Sequence, residues 1–580
     1  MDLTKGNIKV VLEGRGPLTL RQNDHVATGG EGAIFRASNT ALKIYLKPEK
    51  VVWNDVSGKI TFFKANKHNF IVAPQGAVLD LGGKIIGYYM EFVDNGEPIA
   101  RVFTNAFRNR SNFNNKNASI LIEKMRQIVE FAHSNNALLI DANELGYFVI
   151  FNFPKEPEPR IIDVDSWVLE NRFPPQVAIM PSIRDWHTNG WNQGTDWFAW
   201  GVVTFQVYIG IHPYKGTLDG YKSGDLEQRM KDNTSVFSPG IRLNQAVRDF
   251  SEIPGPLFDW YMATFQQGDR TIPPSPFDTG IARAQAGQIL RAVTTATGML
   301  VFEKIHDSVN DQVIRIFPCG VALLKSGKLI DLATKKQIAC DASLECEVIQ
   351  VQGGWLVASM NGNNVNYSYI NKANFKQESL NFALTGYKLV RYENRLFLVT
   401  DRGLTEIILR VLNKPILSIG KTWGVMINST QWFDGVGIQD AMGAMFVIVP
   451  FDDSACAQIR VKELDGLKPV VAKAGNRFVT IIGLDRSGNY QKVELTFDAS
   501  YQNCKAWTGA TDNPDLNIAI LPKMVCVTIV QDREMVIFVP TSGVINKISD
   551  KQVSTNMILF NWEDKVVYIQ DGNVWSVRMK

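Results

Sequence analysis

The chain has 580 residues, of which 45% are hydrophobic and 21% charged, with a net charge of +3. That length exceeds one ordinary core and implies two or more domains, and the composition is that of a folded chain rather than a disordered one. So small a net charge gives no global electrostatic reason to expect nucleic acid or an anionic membrane surface as a partner.

Met1-Asp2-Leu3-Thr4-Lys5-Gly6 offers no apolar stretch of the kind a secretory signal needs. Val26-Ala27-Thr28-Gly29-Gly30-Glu31-Gly32-Ala33-Ile34-Phe35 reads as a strand, a glycine-rich turn and a second strand. Ala41-Leu42-Lys43-Ile44 follows as a third strand carrying one lysine. Glycines at such a turn let backbone N–H groups approach phosphate oxygens without a Cβ in the way. Taken singly, the turn is an ordinary hairpin and Lys43 a solvated lysine; one strand apart, they form a phosphate-binding pattern.

Residues 101–117, with Arg101, Arg108, Arg110 and Lys116 among several asparagines, form a basic polar insert that is expected to be a solvated loop. Residues 118–136 place apolar side chains at helical spacing. The segment Leu138-Leu139-Ile140-Asp141-Ala142-Asn143 then sets Asp141 at a turn before a new β run, Tyr147-Phe148-Val149. Arg160-Ile161-Ile162-Asp163-Val164-Asp165-Ser166-Trp167 puts two carboxylates just after an apolar strand. These could be two hairpins with turn aspartates. They could equally be a base or orienting carboxylate at Asp141 and a metal-holding one at Asp163. Hard carboxylate oxygens suit Mg²⁺, which bridges phosphates and needs only one or two protein ligands.

Residues 196–209 are apolar nearly all round, as a central buried helix would be. The longest apolar run, from Trp197 to Ile211, is shorter than the ~20 residues that cross a bilayer, so no membrane association is expected. Trp186, Trp191, Trp197 and Trp200 are expected to pack around this helix. A last helical stretch is expected over residues 281–297.

The texture changes near residue 298. Short apolar runs then alternate with turn signals at 325–327, 361–363, 401–403, 452–454, 485–488, 532–534 and 571–572. A spacing of roughly 35–50 residues suggests an all-β propeller of about six or seven blades, with a pair of β-sandwiches as the competing reading. All six cysteines lie after residue 318, and none forms a C-x-x-C pair. Buried free thiols in a reducing compartment fit this better than disulfides or zinc, and the six histidines show no metal-ligand spacing.

In order and residue type, the first half resembles the divergent bacterial and phage relatives of eukaryotic-type Ser/Thr protein kinases, particularly the YegI-like branch. The glycine flap, the Asp141-x-Asn143 turn and Ile162-Asp163-Val164-Asp165-Ser166-Trp167 carry the likeness. So do Thr195-Asp196-Trp197-Phe198-Ala199-Trp200-Gly201-Val202, His212-Pro213-Tyr214 and Gly268-Asp269-Arg270-Thr271-Ile272-Pro273-Pro274. The resemblance implies an α+β bilobal fold over residues 1–298, with the lobes dividing near residue 93; the turn pattern gives the β-repeat domain over 299–580. It implies ATP and Mg²⁺ as cofactors. Ala27, Gly29, Gly30 and Gly32 would cover the phosphates, and Lys43 would contact them. Glu91 and Val93 would hold the adenine edge through their backbone, Asp141 and Asn143 would line the catalytic loop, and Asp163 would hold Mg²⁺.

The departures are specific. Gly146 stands at the family's metal-binding asparagine, Leu139-Ile140 at its His-Arg, and Asp165 at the glycine of Asp-Phe-Gly. Pro181-Ser182 replaces Pro-Glu and leaves Arg270 without its usual carboxylate. The glutamate that should pair with Lys43 is not identified by the sequence; Glu49 is a candidate that follows it closely. Two functions stand side by side: a cytoplasmic kinase that uses the propeller to recruit a protein partner, and a pseudokinase scaffold within a larger assembly such as a phage particle.

Overall fold

The computed structural model describes residues 7–170, 179–222, 225–244, 246–278, 290–291, 299–308, 311–452, 455–541 and 544–580. Its first layer is a seven-stranded antiparallel sheet built by alternation. In β1 (Asn7–Leu12), Ile8, Val10 and Leu12 turn inward while Asn7 and Lys9 stay outside. The remaining strands are β2 (Gly16–Arg21), β3 (His25–Thr28), β4 (Gly32–Ala37), β5 (Thr40–Tyr45), β6 (Gly76–Leu79) and β7 (Ile85–Glu91), in the order β2-β1-β6-β7-β5-β4-β3. One face packs Val10, Leu20, Phe35, Leu42, Ile44 and Val78 together. The other packs Tyr45, Tyr88 and Met90 with Val56 and Ile60, which belong to helix α1 (Trp53–Ala65).

Helices follow. The stretch expected to be a basic loop is instead two short helices, α2 (Ile99–Val102) and α3 (Asn105–Ser111), leading into α4 (Asn115–Ser134). Arg101 and Arg108 are buried rather than solvated. Arg108 donates to the Val207 carbonyl and to Asn115. The helix expected at 118–136 thus begins three residues earlier, where Asn114 and Asn117 cap each other's backbone. The central helix α5 (Gln193–Ile209) is buried at every position from Thr195 onward. Asn192 starts it by accepting from the Gly194 and Thr195 amides, and Gly210, at φ 82°, ends it. Trp197 and Trp200 sit in its core, as expected. Of the helix expected over 281–297, Leu290–Arg291 instead pairs in parallel with Arg242–Leu243, and the rest lies outside the described residues.

From residue 300 onward the described residues form seven four-stranded antiparallel sheets, spanning 313–341, 346–380, 388–423, 430–460, 468–511 and 518–549, with the seventh formed by 558–579. The seventh takes its fourth strand from Leu300–His306, which pairs with Asn573–Met579. Apolar side chains join each sheet to its neighbour. Val348 and Trp355 meet Phe317 of the preceding sheet, for example, and Val567 and Ile569 of the seventh meet Val313 and Ile316 of the first. Contacts of this kind run from each sheet to the next and from the seventh back to the first, as a ring of sheets. Six of the seven turn signals connect the second and third strands of their sheets; the 452–454 signal follows a third strand instead.

The halves share a core and a polar seam. Val470, Ile482, Leu484 and Tyr490 pack among the helical residues of the first half. The Thr28 amide donates to Asp440 at 2.8 Å, and the Asn105 and Ala106 amides donate to the Asp515 carboxylate. Among the described residues no helix is long and apolar enough to cross a membrane.

Candidate active site

The glycine-rich turn is a hairpin, with Ala27 opposite Ile34 and the Gly29 amide donating to the Gly32 carbonyl at 2.8 Å. Gly32 is required by packing, because a Cβ there would stand 2.9 Å from the Ile44 carbonyl and 3.3 Å from the Lys43 side chain. Gly30 is exposed at the tip.

Strand alternation sends Leu42 and Ile44 into one core and turns Lys43 to the opposite face. Lys43 is 7% exposed. Its Nζ lies 2.6 Å from Asp165 Oδ2, 3.4 Å from Asp163 Oδ1 and 4.0 Å from Glu31 Oε2. Burial alone would lower the lysine pKa, but the charges of Asp163 and Asp165 outweigh it and raise the pKa well above its ordinary value. Burial likewise works against an ionised Asp165, and Lys43 overrides it and holds that carboxyl below its ordinary range. Asp165 also accepts from the Tyr45 hydroxyl at 2.8 Å, and its carbonyl accepts from Lys59 Nζ of α1.

This resolves the partner of Lys43. Glu49 sits in the short turn Pro48–Lys50, exposed, and makes no ion pair with Lys43. The partner is Asp165, the residue that departed from the family pattern. Helix α1 contributes a buried cation, Lys59, to the same carboxylate-bearing segment. The only sequence hint was the second carboxylate of Asp163-Val164-Asp165, two residues after the first.

The loop after α4 is held from below by Asp196 of α5. Its carboxylate accepts from the Leu139 and Ile140 amides, at 2.9 Å each, and lies 3.0 Å from His133 Nε2. Ile140 has φ 64°, a left-handed conformation that a β-branched residue resists and that these bonds impose. Asp141 follows directly. Its Oδ1 accepts from the Met180 amide at 2.9 Å, and burial pushes its carboxyl up to about 6. Asn143 turns inward on the loop: its Oδ1 accepts from the Leu145 and Gly146 amides at 2.8 and 3.1 Å. Asn143 thus shapes the turn. Ser166 Oγ donates to the Leu139 carbonyl at 2.9 Å, tying the Asp163–Asp165 segment to this loop.

Glu91 ends β7 exposed, and Val93 is half-buried beyond it. Arg270, expected to lack a carboxylate, has one: Asp185 pairs with it at 2.6 and 2.9 Å. That partner lies three residues beyond Ser182, so a search at the family's usual position misses it.

The residues suit a nucleotide with Mg²⁺. A buried cation lies beneath a glycine turn, and the Asp163 carboxylate beside it is half-exposed. Among the described residues no group of three or more His, Cys, Asp or Glu could hold a metal by itself. Mg²⁺ bound with a nucleotide needs no such cluster, because phosphates and water complete its shell.

No protein-family model matches the chain. Two curated proteins resemble it. Protein kinase YegI of Escherichia coli strain K12 is 27% identical over 237 residues, which is 37% of this chain and 35% of that protein. Protein kinase YegI of Escherichia coli O157:H7 is 26% identical over 213 residues, 32% of this chain and 31% of its own length. The chain thus spans about a third of the length of the curated relatives it matches. The similarity supports a kinase-like N-terminal part.

Proposed function

We propose that residues 1–298 form a bilobal protein-kinase-like domain that binds ATP with Mg²⁺ and transfers the γ-phosphate to a protein hydroxyl. Residues 299–580 are read as a seven-bladed β-propeller that serves as a platform for a protein partner. The observation that carries the reading is the gathering of Lys43, Asp163 and Asp165 beneath the glycine turn. The likeness to a protein kinase supports it.

Bound Mg²⁺–ATP supplies the transferable phosphoryl group and neutralises its charge. The chain supplies the rest. The Gly30 and Glu31 amides at the tip of the glycine turn and Lys43 position phosphate oxygens, and Asp163 offers the metal a carboxylate. The backbone at Glu91 and Val93 faces the adenine edge. Asp141 accepts the acceptor hydroxyl's proton, and a carboxyl at about 6 is ionised and able to do so near neutral pH. Asp196 and Asn143 hold the loop that carries it.

A second reading, nucleotide binding without transfer, is favoured by one observation. Gly146 has no side chain and Asn143 is consumed by its own loop, so the second metal ligand of the family is missing.

Thermal unfolding with and without ATP and Mg²⁺ tests both readings. A ligand that binds the folded state raises its apparent stability. We expect a shift that Lys43→Ala removes, and phosphate transfer that Asp163→Ala removes. Absence of any shift at millimolar nucleotide overturns both readings; a shift without transfer selects the second.

A further inference from the structure

One turn of the ring enters the cleft mouth. It joins the strands Phe478–Leu484 and Tyr490–Phe497 and reads Asp485-Arg486-Ser487-Gly488-Asn489. Arg486 reaches the tip of the glycine turn, and its Nη1 lies 2.8 Å from where a Gly30 Cβ would stand. Gly488 reaches the opposite wall. A Cβ on it would collide with the Ser182 side chain and stand 3.5 Å from Glu144 Oε1. Gly488 is buried, has φ 79°, and its carbonyl accepts from Lys215 Nζ at 3.2 Å. Glu144 lies three residues beyond Asp141, in the loop that Asp196 and Asn143 hold.

Ser487 is therefore bracketed. The residue before it touches the lid over the phosphates, and the residue after it sits on the wall beside Asp141. Its own side chain is exposed, while Gly488 next to it is buried. The turn is rigid: Asp485 Oδ1 accepts from the Ser487 and Asn489 amides, at 2.8 and 2.9 Å.

We propose that Ser487 is a phosphoacceptor for this cleft within its own chain. The proposal rests on the phosphotransfer reading above and names its substrate. The Ser487 Oγ attacks the γ-phosphorus of ATP and forms an O–P bond. The bond from that phosphorus to the bridging β-phosphate oxygen breaks, and its electron pair leaves with ADP. The hydroxyl proton passes to the Asp141 carboxylate and then to water. The product carries its phosphate beside Arg486, a cation able to pair with it. Tethering gives the hydroxyl an effective concentration on the order of millimolar, so the step is independent of protein concentration.

The test uses the full chain. With ATP and Mg²⁺, peptide mapping is expected to find phosphate on Ser487, with a rate per chain unchanged over about a hundredfold dilution. Phosphate at other residues only, or a rate that falls with dilution, overturns the proposal. Transfer to an added serine peptide with Ser487 left unmodified overturns it while sparing the phosphotransfer reading. No transfer to either acceptor overturns both. A second readout needs no turnover. Maleimide labelling of S487C is expected to slow when a non-hydrolysable ATP analogue and Mg²⁺ are added. An analogue that raises the melting temperature without slowing that labelling places the residue outside the cleft mouth and overturns the proposal.

Discussion

The two halves of the molecule bury different things. Among the described residues, the first half buries Lys43, Lys59, Arg101, Arg108, Glu144, Asp185, Asp196, His212, Lys215 and Arg229. Among the described residues of the ring, the buried charged side chains are Asp331, Glu406, Glu534 and Asp550. Buried charge is costly unless it is paired or hydrogen-bonded. The first half meets that condition site by site, with Lys43 on Asp165, Arg270 on Asp185 and Asp196 on two amides. The ring mostly avoids the cost by repeating apolar strands and leaving its chemistry to turns. The proposed nucleotide site lies in the interior of the first half, and the proposed acceptor on a turn of the second.

The largest effects break the comparison at its cores. Trp200 packs edge-on against Trp197 and Trp260 inside one continuous core, whereas Trp355 sits in a small cluster shared by two sheets. Trp200→Ala and Trp355→Ala are each expected to cost about 3–5 kcal/mol. Hydrogen exchange separates them. Trp200→Ala should deprotect α4 and α5 together, and Trp355→Ala its own sheet and the neighbour before it. Equal deprotection of α5 by both changes would erase the distinction between the halves.

A smaller effect concerns Glu144, a buried carboxyl at the seam whose pairing is incomplete. Glu144 Oε2 has no hydrogen-bond partner among the described residues, and burial pushes the carboxyl up to about 7. An acid whose folded pKa is raised costs stability as pH climbs. The unfolded chain ionises from its ordinary value of 4.5, while the folded chain stays protonated until about 7. The cost is absent below the ordinary value, grows across that window and is constant above it, at about 3 kcal/mol. Glu144→Gln should therefore melt higher than the parent at pH 8 and no differently at pH 4. A gain of equal size at both pH values would show that its charge is not the cause. The smallest effect is at the start of α5, where Asn192→Ala should cost about 1 kcal/mol in chemical denaturation. A loss several times larger would mean that Asn192 holds more than the helix end.

Local order was legible where one residue type repeats at one period. The strands around Gly29–Gly32, the helices at α4 and α5, and the turn signals of the ring are all written in alternation, helical spacing or Gly-Asp-Asn punctuation. The insert at 101–117 misled because its arginines suggested solvent. Arg101 is neutralised by Glu97, and Arg108 is satisfied by the Val207 carbonyl and Asn115. The helical spacing read over residues 281–297 was likewise not followed at Leu290–Arg291, where a strand pairing took over.

By itself the sequence determined the periodic elements, the lysine on its strand, and the aspartates that end the apolar runs at Asp141 and Asp163. These follow from interactions between residues a few positions apart. Only the tertiary structure decided that Asp165 rather than Glu49 neutralises Lys43, across 122 positions, and that Asp185 serves Arg270, across 85. Only it could bring Arg486 to Gly30 and Gly488 to Ser182. The physical reason is that a buried charge takes whichever opposite charge the packed backbone delivers. That choice is made when segments far apart in the chain pack together, which no local period encodes.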